Sequence, residues 1–270
     1  MEDPHLADDP HALVTPHLPN LRDIGGWPTA SGATLRKGVF FRSSALSDPT
    51  AATDPVVTDL GLRLVVDMRT PAERERGADH APQGAEVVAV DILGSTSGGL
   101  ADAASTLLSG SVDVAAFLAH LDAPAAMEHT YRQFVTEPEA RAGFATVLRA
   151  VLERGGAPSL VHCTAGKDRT GWVVALAMSA VGVPRDAVVE EYLAVRPAVH
   201  DLFAPLLQQV GAAGLDATRL APVFDVDARY IGAAFDQAER DFGGGDGYLR
   251  DGLGLDDAEI ASLGDILLGA

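Results

Sequence analysis

The amino-acid sequence predicts an α/β fold: a mostly parallel central sheet flanked by helices, with a C-terminal third that is all helix. Strand-length apolar runs at 62–68 (LRLVVDM), 86–93 and 159–161 alternate with stretches of helical period, the pattern of strands joined by helical crossovers. A glycine-containing loop leads from the third run into residues 170–181, which are apolar on every side, as a helix buried against a sheet should be. With 270 residues, 47% of them hydrophobic, the chain has material for one large domain and at most an added lid or tail.

Taken in order, residues 1–18 are rich in Asp, Pro and His and read as a flexible acidic tail, leaving 19–270 as a single domain. His5, His11 and His17 recur at a spacing that fits no helical face, which argues for solvated side chains over metal ligands. Ser31-Gly32 marks a turn between two short extended pieces, the second at 39–41, and predicts an N-terminal hairpin. Gly61 closes a helical stretch ahead of the first strand. Residues 94–110 are rich in Gly, Ser and Ala with no firm apolar period, so a lid element is expected at about 94–125. Phe144, Val147, Leu148, Val151 and Leu152 share a helical face that Gly155-Gly156 terminates, and Gly182 and Pro184 separate the buried helix from the next.

Acidic side chains outnumber basic ones 38 to 20, a net charge of −18, which repels nucleic acid and anionic lipid surfaces at long range, so no nucleic-acid partner is expected. A phosphorylated ligand must therefore meet a local positive island. The opening residues MEDPHLADDP hold no apolar run, and residues 172–183 are too short to cross about 30 Å of hydrocarbon. A cytoplasmic protein without stable membrane association is expected.

That positive island is legible at residues 161–171, VHCTAGKDRTG, which set the single cysteine of the chain, Cys163, six positions before Arg169 at a strand-to-helix junction. Main-chain amides of a tight loop at a helix N-terminus point inward together, so the stretch Thr164, Ala165, Gly166 and Lys167 can satisfy a tetrahedral dianion. Ala165 and Gly166 allow the close approach. The same field stabilises a thiolate, making Cys163 a nucleophile at neutral pH. Arg169 offers a planar fork matched to two phosphoryl oxygens. The Thr170 hydroxyl is placed to donate to the thiolate and help it leave, and His162 to orient the loop through a backbone hydrogen bond. A lone buried cysteine is often only a small hydrophobe, but that reading leaves the adjacent Lys-Asp-Arg unexplained. One cysteine also rules out an intrachain disulfide and cysteine-based metal clusters, and the chemistry calls for no metal and no cofactor.

His-Cys-x5-Arg-Thr is the signature of the protein-tyrosine-phosphatase superfamily, and the Ala-Gly-Lys-Asp-Arg version resembles the bacterial and fungal tyrosine/serine phosphatase family, which is similar to a mycobacterial secreted tyrosine phosphatase. Further matching segments are Asn20-Leu21-Arg22-Asp23-Ile24-Gly25-Gly26, Phe41-Arg42-Ser43, Val66-Asp67-Met68-Arg69 and Gly247-Tyr248-Leu249, so the resemblance covers about residues 18–265. It implies a protein-tyrosine-phosphatase-like fold and cysteine-dependent hydrolysis of phosphomonoesters.

A two-step mechanism also needs a proton donor. Trp27-Pro28 is followed by Thr29, so it is no acid-bearing Trp-Pro-Asp loop and reads as structural. The resemblance implies Asp168 as the acid. The rival reading makes Asp168 an anchor paired with a basic neighbour such as Arg22, with Asp67 or Asp91 as the acid. Lys167, one of two lysines beside Lys37, either neutralises a second phosphate or acidic group of the substrate or is a solvated loop charge. Asp67 and Arg69, at the carboxyl end of a predicted strand, are expected to brace the loop. Arg22 reads as a supporting or substrate contact, with plain turn structure as the alternative, and the resemblance implies that Tyr131 and residues 198–224 correspond to the substrate-facing and lid regions of the family, so a second lid element is expected at 198–224. The substrate is expected to be a phosphorylated protein side chain, tyrosine and also serine or threonine. A small metabolite such as a nucleotide or sugar phosphate, a phosphoinositide, a non-catalytic phosphate-binding module and a rhodanese-type sulfurtransferase are the alternatives.

Overall fold

Five strands, β1 (Arg22–Asp23), β2 (Phe40–Ser43), β3 (Leu64–Asp67), β4 (Glu86–Ala89) and β5 (Ser159–His162), form one sheet in a computed structural model that describes residues 9–94 and 121–269. Their order is β1-β2-β5-β3-β4; β1 runs antiparallel to β2 and the other pairs are parallel. Side chains alternate across the pleat, so Phe40, Leu64, Val66 and Val161 enter one core while Phe41, Val65 and Leu160 enter another. Leu18, Leu21, Leu46 and Leu62 close the second, smaller core together with Val57 of the short helix α1 (Pro55–Thr58).

The larger core lies under the helices. After α2 (Pro71–Arg76) come α3 (Ala123–Thr136), α4 (Pro138–Leu152), α5 (Asp168–Ala180), α6 (Arg185–Leu193), α7 (Arg196–Ala212), α8 (Ala228–Phe242) and α9 (Asp257–Leu268). Every residue of α5 from Arg169 to Met178 is buried, as its all-round apolar sequence requires. Gly171 admits the neighbouring helix: a Cβ there would lie 2.8 Å from the Tyr192 ring of α6. No described helix is long and apolar enough to cross a membrane.

Two expectations change in detail, and a third falls largely outside the described residues. The strand expected over 86–93 ends at Ala89, because Asp91 Oδ1 accepts from the amides of Leu93 and Gly94, 3.0 Å each, and turns the chain away from the sheet. The flexible tail expected over 1–18 does not extend to 18. From Asp9 the chain is docked: the Leu13 amide donates to Leu21 O at 2.9 Å, the Asp23 amide to His11 O at 3.0 Å, and Leu18 is buried. Asp, Pro and His composition hid the two leucines that seat this segment. The lid expected at about 94–125 lies, apart from its ends, outside the described residues, whereas 198–224 is helical, spanning most of α7, a helical turn at Ala217–Leu220 and a 3-10 turn at Ala221–Phe224.

Candidate active site

Register brings the carboxyl ends of β2, β5 and β3 together: Ser43 and Asp67 both face His162. Beyond this edge an open parallel sheet binds its ligands. The chain leaves β5 at His162, turns through 163–167 and enters α5 at Asp168. Gly166 makes the turn, with a φ of +70° and no room for a side chain, since a Cβ would sit 2.2 Å from Ser43 O.

A cavity of about 800 Å³ opens over this loop, lined by Cys163, Thr164, Ala165, Lys167, Asp168 and Arg169. Arg69 and Glu73 form its sheet-side rim, and Met127 and Phe134 of α3 with Leu202, Phe203 and Leu206 of α7 and Phe224 form an apolar wall. Cys163 is a free thiol, 2% exposed.

Arg169 is held by a residue the sequence reading did not single out. Glu73 of α2 takes both guanidinium ends, Nη1 on Oε2 and Nη2 on Oε1 at 2.7 Å each, while Nη1 also donates to Met68 O at 3.1 Å. Thr164 Oγ1 donates to Glu73 Oε1 at 2.5 Å and the Thr70 amide to Oε2 at 2.8 Å. Burial by itself would raise the Glu73 carboxyl; the hydrogen bonds and charge of Arg169, with Thr164 and the Thr70 amide, reverse that and hold it at about 2. Burial likewise works against the charge of Arg169, and Glu73, the Cys163 sulfur and Asp168 more than offset it.

Behind the loop, Asp67 and Arg69 connect to it through a further carboxylate. Arg69 Nε and Nη2 donate to Asp67 at 2.9 Å each, Nη2 lies 2.8 Å from Asp79 Oδ1, and Asp79 Oδ2 lies 2.9 Å from His162 Nε2. His162 Nδ1 then meets Cys163 O at 3.0 Å, so the expected backbone contact of His162 is present. Burial opposes the charge of Asp79, and His162 and Arg69 outweigh it, keeping its carboxyl below the usual range.

Of the aspartates considered as acid, Asp168 lines the cavity. Asp67 is buried against Arg69, and Asp91, which is not among the residues that line the cavity, is engaged in its own turn. Asp168 Oδ1 accepts from the Tyr131 hydroxyl at 2.9 Å, and that oxygen lies 2.7 Å from the Tyr192 hydroxyl. With the Tyr131 hydrogen committed to Asp168, Tyr192 is the donor of the second bond. Burial and the Asp168 charge push Tyr131 well above the usual phenol range, so it stays a neutral donor.

Three expected roles are not what the geometry displays. Arg22 is neither a substrate contact nor a partner of Asp168: it is 2% exposed and pairs with Asp9 at 2.5 Å and Glu191 at 3.4 Å, because the docked N-terminal segment covers it. Thr170 Oγ1 is buried without a hydrogen-bond partner, so the expected donation to the Cys163 sulfur is not formed. Lys167 is no solvated charge. It is 4% exposed and its Nζ donates to Val223 O at 2.5 Å and Asp225 O at 3.0 Å, with Asp168 Oδ2 at 3.5 Å. Trp27, read as structural, stacks on His11 with ring centroids 4.8 Å apart.

Besides Glu73 and Asp79, the sequence reading passed over Glu191. Thr70-Pro71-Ala72-Glu73 is legible as a helix-capping box, and the capping contacts are made, but nothing local says that the same carboxylate also meets Arg169.

Comparison with known proteins agrees with this geometry. Residues 13–269 match the Tyrosine phosphatase family. The chain is 33% identical over 275 residues to the triple specificity protein phosphatase PtpB of Mycobacterium tuberculosis, covering 93% of this chain and 96% of that one. It is 31% identical over 257 residues to a Cupriavidus necator protein with a provisional tyrosine-protein phosphatase name, covering 93% and 87%. A tyrosine-protein phosphatase of Nostoc commune is 25% identical over 268 residues, covering 96% and 83%. The chain belongs to the tyrosine phosphatase family, with the corresponding α/β fold, and is an enzyme of the protein-tyrosine-phosphatase type.

Proposed function

We propose that this protein phosphatase hydrolyses phosphomonoesters through a phosphocysteine intermediate, acting on phosphotyrosine and also on phosphoserine or phosphothreonine of proteins. The observation that carries the reading is that Cys163, Asp168 and Arg169 open on one cavity at the carboxyl edge of the parallel strands.

In the first step the Cys163 thiolate gives an electron pair to phosphorus as the ester P–O bond breaks, and the departing oxygen takes the proton of Asp168. In the second, water attacks phosphorus, its proton passes to the Asp168 carboxylate and the P–S bond breaks, returning the thiolate and releasing inorganic phosphate. Arg169 and the loop amides meet the charge that builds on the phosphoryl oxygens, and the scheme requires no metal. Glu73 sets the plane of the guanidinium before substrate arrives, so little reorientation remains for the reaction itself.

Phe134, Phe203, Leu206 and Phe224 favour an ester with an aromatic ring beside the phosphate. Lys167, engaged by two carbonyls across the cavity, favours a monophosphate over a ligand with a second phosphate for that lysine to meet. The triple specificity for which the M. tuberculosis relative is named is in keeping with more than one kind of phosphoester. Replacing Cys163 by Ser tests the chemistry: turnover of p-nitrophenyl phosphate disappears while inorganic phosphate still binds by calorimetry. Retained turnover in that variant would dismiss the phosphocysteine.

A further inference from the structure

Every main-chain carbonyl from Cys163 to Lys167 is held by a partner. Cys163 O meets His162 Nδ1 at 3.0 Å, and Thr164 O accepts from the Ala45 amide at 3.1 Å. Ala165 O accepts from Asn20 Nδ2 at 3.1 Å. Gly166 O accepts from the same Nδ2 at 3.1 Å and from Arg42 Nη2 at 2.5 Å, and Lys167 O accepts from the Gly171 amide at 2.8 Å. In a trans peptide the C=O and the following N–H point in opposite directions. Pinning the carbonyls of 165 and 166 outward therefore aims the amides of Gly166 and Lys167 the other way, toward the cradle. Among the described residues, no hydrogen-bond acceptor takes the amides of 164–170.

Two of these pins are side chains far from the loop in sequence, and both are costly to keep where they are. Asn20 has a φ of +58°, the one non-glycine residue with positive φ among those described, and it is 7% exposed. Arg42 is fully buried and keeps its charge by pairing with Glu191 Oε2 at 2.7 Å. A strained backbone and a buried ion pair converge on a single peptide oxygen, that of Gly166.

The geometry points to Asn20 and Arg42 as positioning residues that set the anion-binding amides of Gly166 and Lys167, with Glu191 holding Arg42 for the task. The inference rests on the phosphatase reading above. The discriminating variant is Asn20→Gly, which keeps the left-handed backbone without strain and removes the donor; Arg42→Lys keeps the charge and removes the fork. Each full chain is titrated with inorganic phosphate by calorimetry, and the rate of Cys163 alkylation by iodoacetamide is taken at pH 6 relative to pH 9.

Both variants should bind inorganic phosphate about 10- to 100-fold more weakly, since charge-assisted bonds to the dianion lose alignment, and their alkylation at pH 6 should fall relative to that at pH 9. A lowered Tm with phosphate affinity and alkylation ratio as in the wild type would mean that the two side chains serve only the fold, and overturns the proposal. Loss of a cooperative unfolding transition in both variants overturns it equally. Failure of the phosphatase reading looks different: the Cys163→Ser variant goes on hydrolysing p-nitrophenyl phosphate while phosphate affinity still depends on Asn20.

Discussion

Behind the phosphate loop, Arg22, Arg42 and Glu191 form a chain of ion pairs in which no side chain is more than 2% exposed. Across the cavity, α7 is tied down by Asp225, which takes Arg196 Nε at 3.1 Å and His200 Nε2 at 3.0 Å with the partners 36% to 55% exposed. The first arrangement turns on Glu191, because removing that carboxylate strands the Arg42 charge in low dielectric. The second competes with water and salt at every contact. By these contacts the loop-side wall of the cavity is the more firmly held and the α7 wall the more adaptable. Lys167 joins them, by reaching from the loop to the carbonyls of Val223 and Asp225.

The largest effect expected from testing this contrast is on the fixed side. Asp168→Asn should slow hydrolysis of alkyl phosphates by about 100- to 10,000-fold, slow activated aryl esters less, and remove the basic limb of the pH–rate profile. Equal slowing of both ester classes would return Asp168 to the anchor reading. Next, Glu191→Gln leaves Arg22 and Arg42 without their shared partner and should lower unfolding free energy by about 3–5 kcal/mol in urea. Asp225→Asn, its counterpart on the adaptable wall, should lower it by about 1 kcal/mol or less. Equal losses would erase the difference between the walls.

Glu73 supplies a pH-dependent version of the test. Its carboxyl is depressed from 4.5 to about 2 in the folded chain, so the stability it contributes is fully present above pH 4.5 and is lost as pH falls toward 2. That span corresponds to about 3 kcal/mol. Acid unfolding of Glu73→Gln followed over this window should have a shallower slope than the wild type, and parallel curves would remove Glu73 as the counter-charge of Arg169. The smallest effect belongs to the connecting lysine. Lys167→Met should raise amide hydrogen exchange across 196–225 while exchange at 159–162 stays as in the wild type; a rise in both would mean that the walls move together.

The order of these tests also separates what could be read in the residues from what could not. Cys163, Arg169 and Asp168 lie within seven positions of one another because the cradle is made by a single turn of chain entering a helix, and such local chemistry leaves a local mark. The sheet was legible for a similar reason: runs such as LVVD at β3 are buried on both faces and must be apolar throughout. The residues that hold the loop in shape were not, because their partners are far along the chain. Glu73 is 96 positions from Arg169, Asn20 is 146 from Gly166 and Glu191 is 149 from Arg42. A glutamate in a helical stretch reads as a solvated charge until the fold supplies two arginines. Arg22 failed in the opposite sense: its motif neighbours suggested the site, and only the docked segment from Asp9 to Leu18 reveals that it is sealed behind it.

The solitary sulfur at the base of the cavity has a bearing on repair. Once Cys163 is oxidised to a sulfenic acid, no second thiol among the 270 residues can condense with it, so the protective disulfide that shields many oxidised cysteines from further damage cannot form within the chain. The nearest internal refuge is a neighbouring backbone nitrogen, and beyond that, rescue depends on a small-molecule or protein reductant entering past the helical wall.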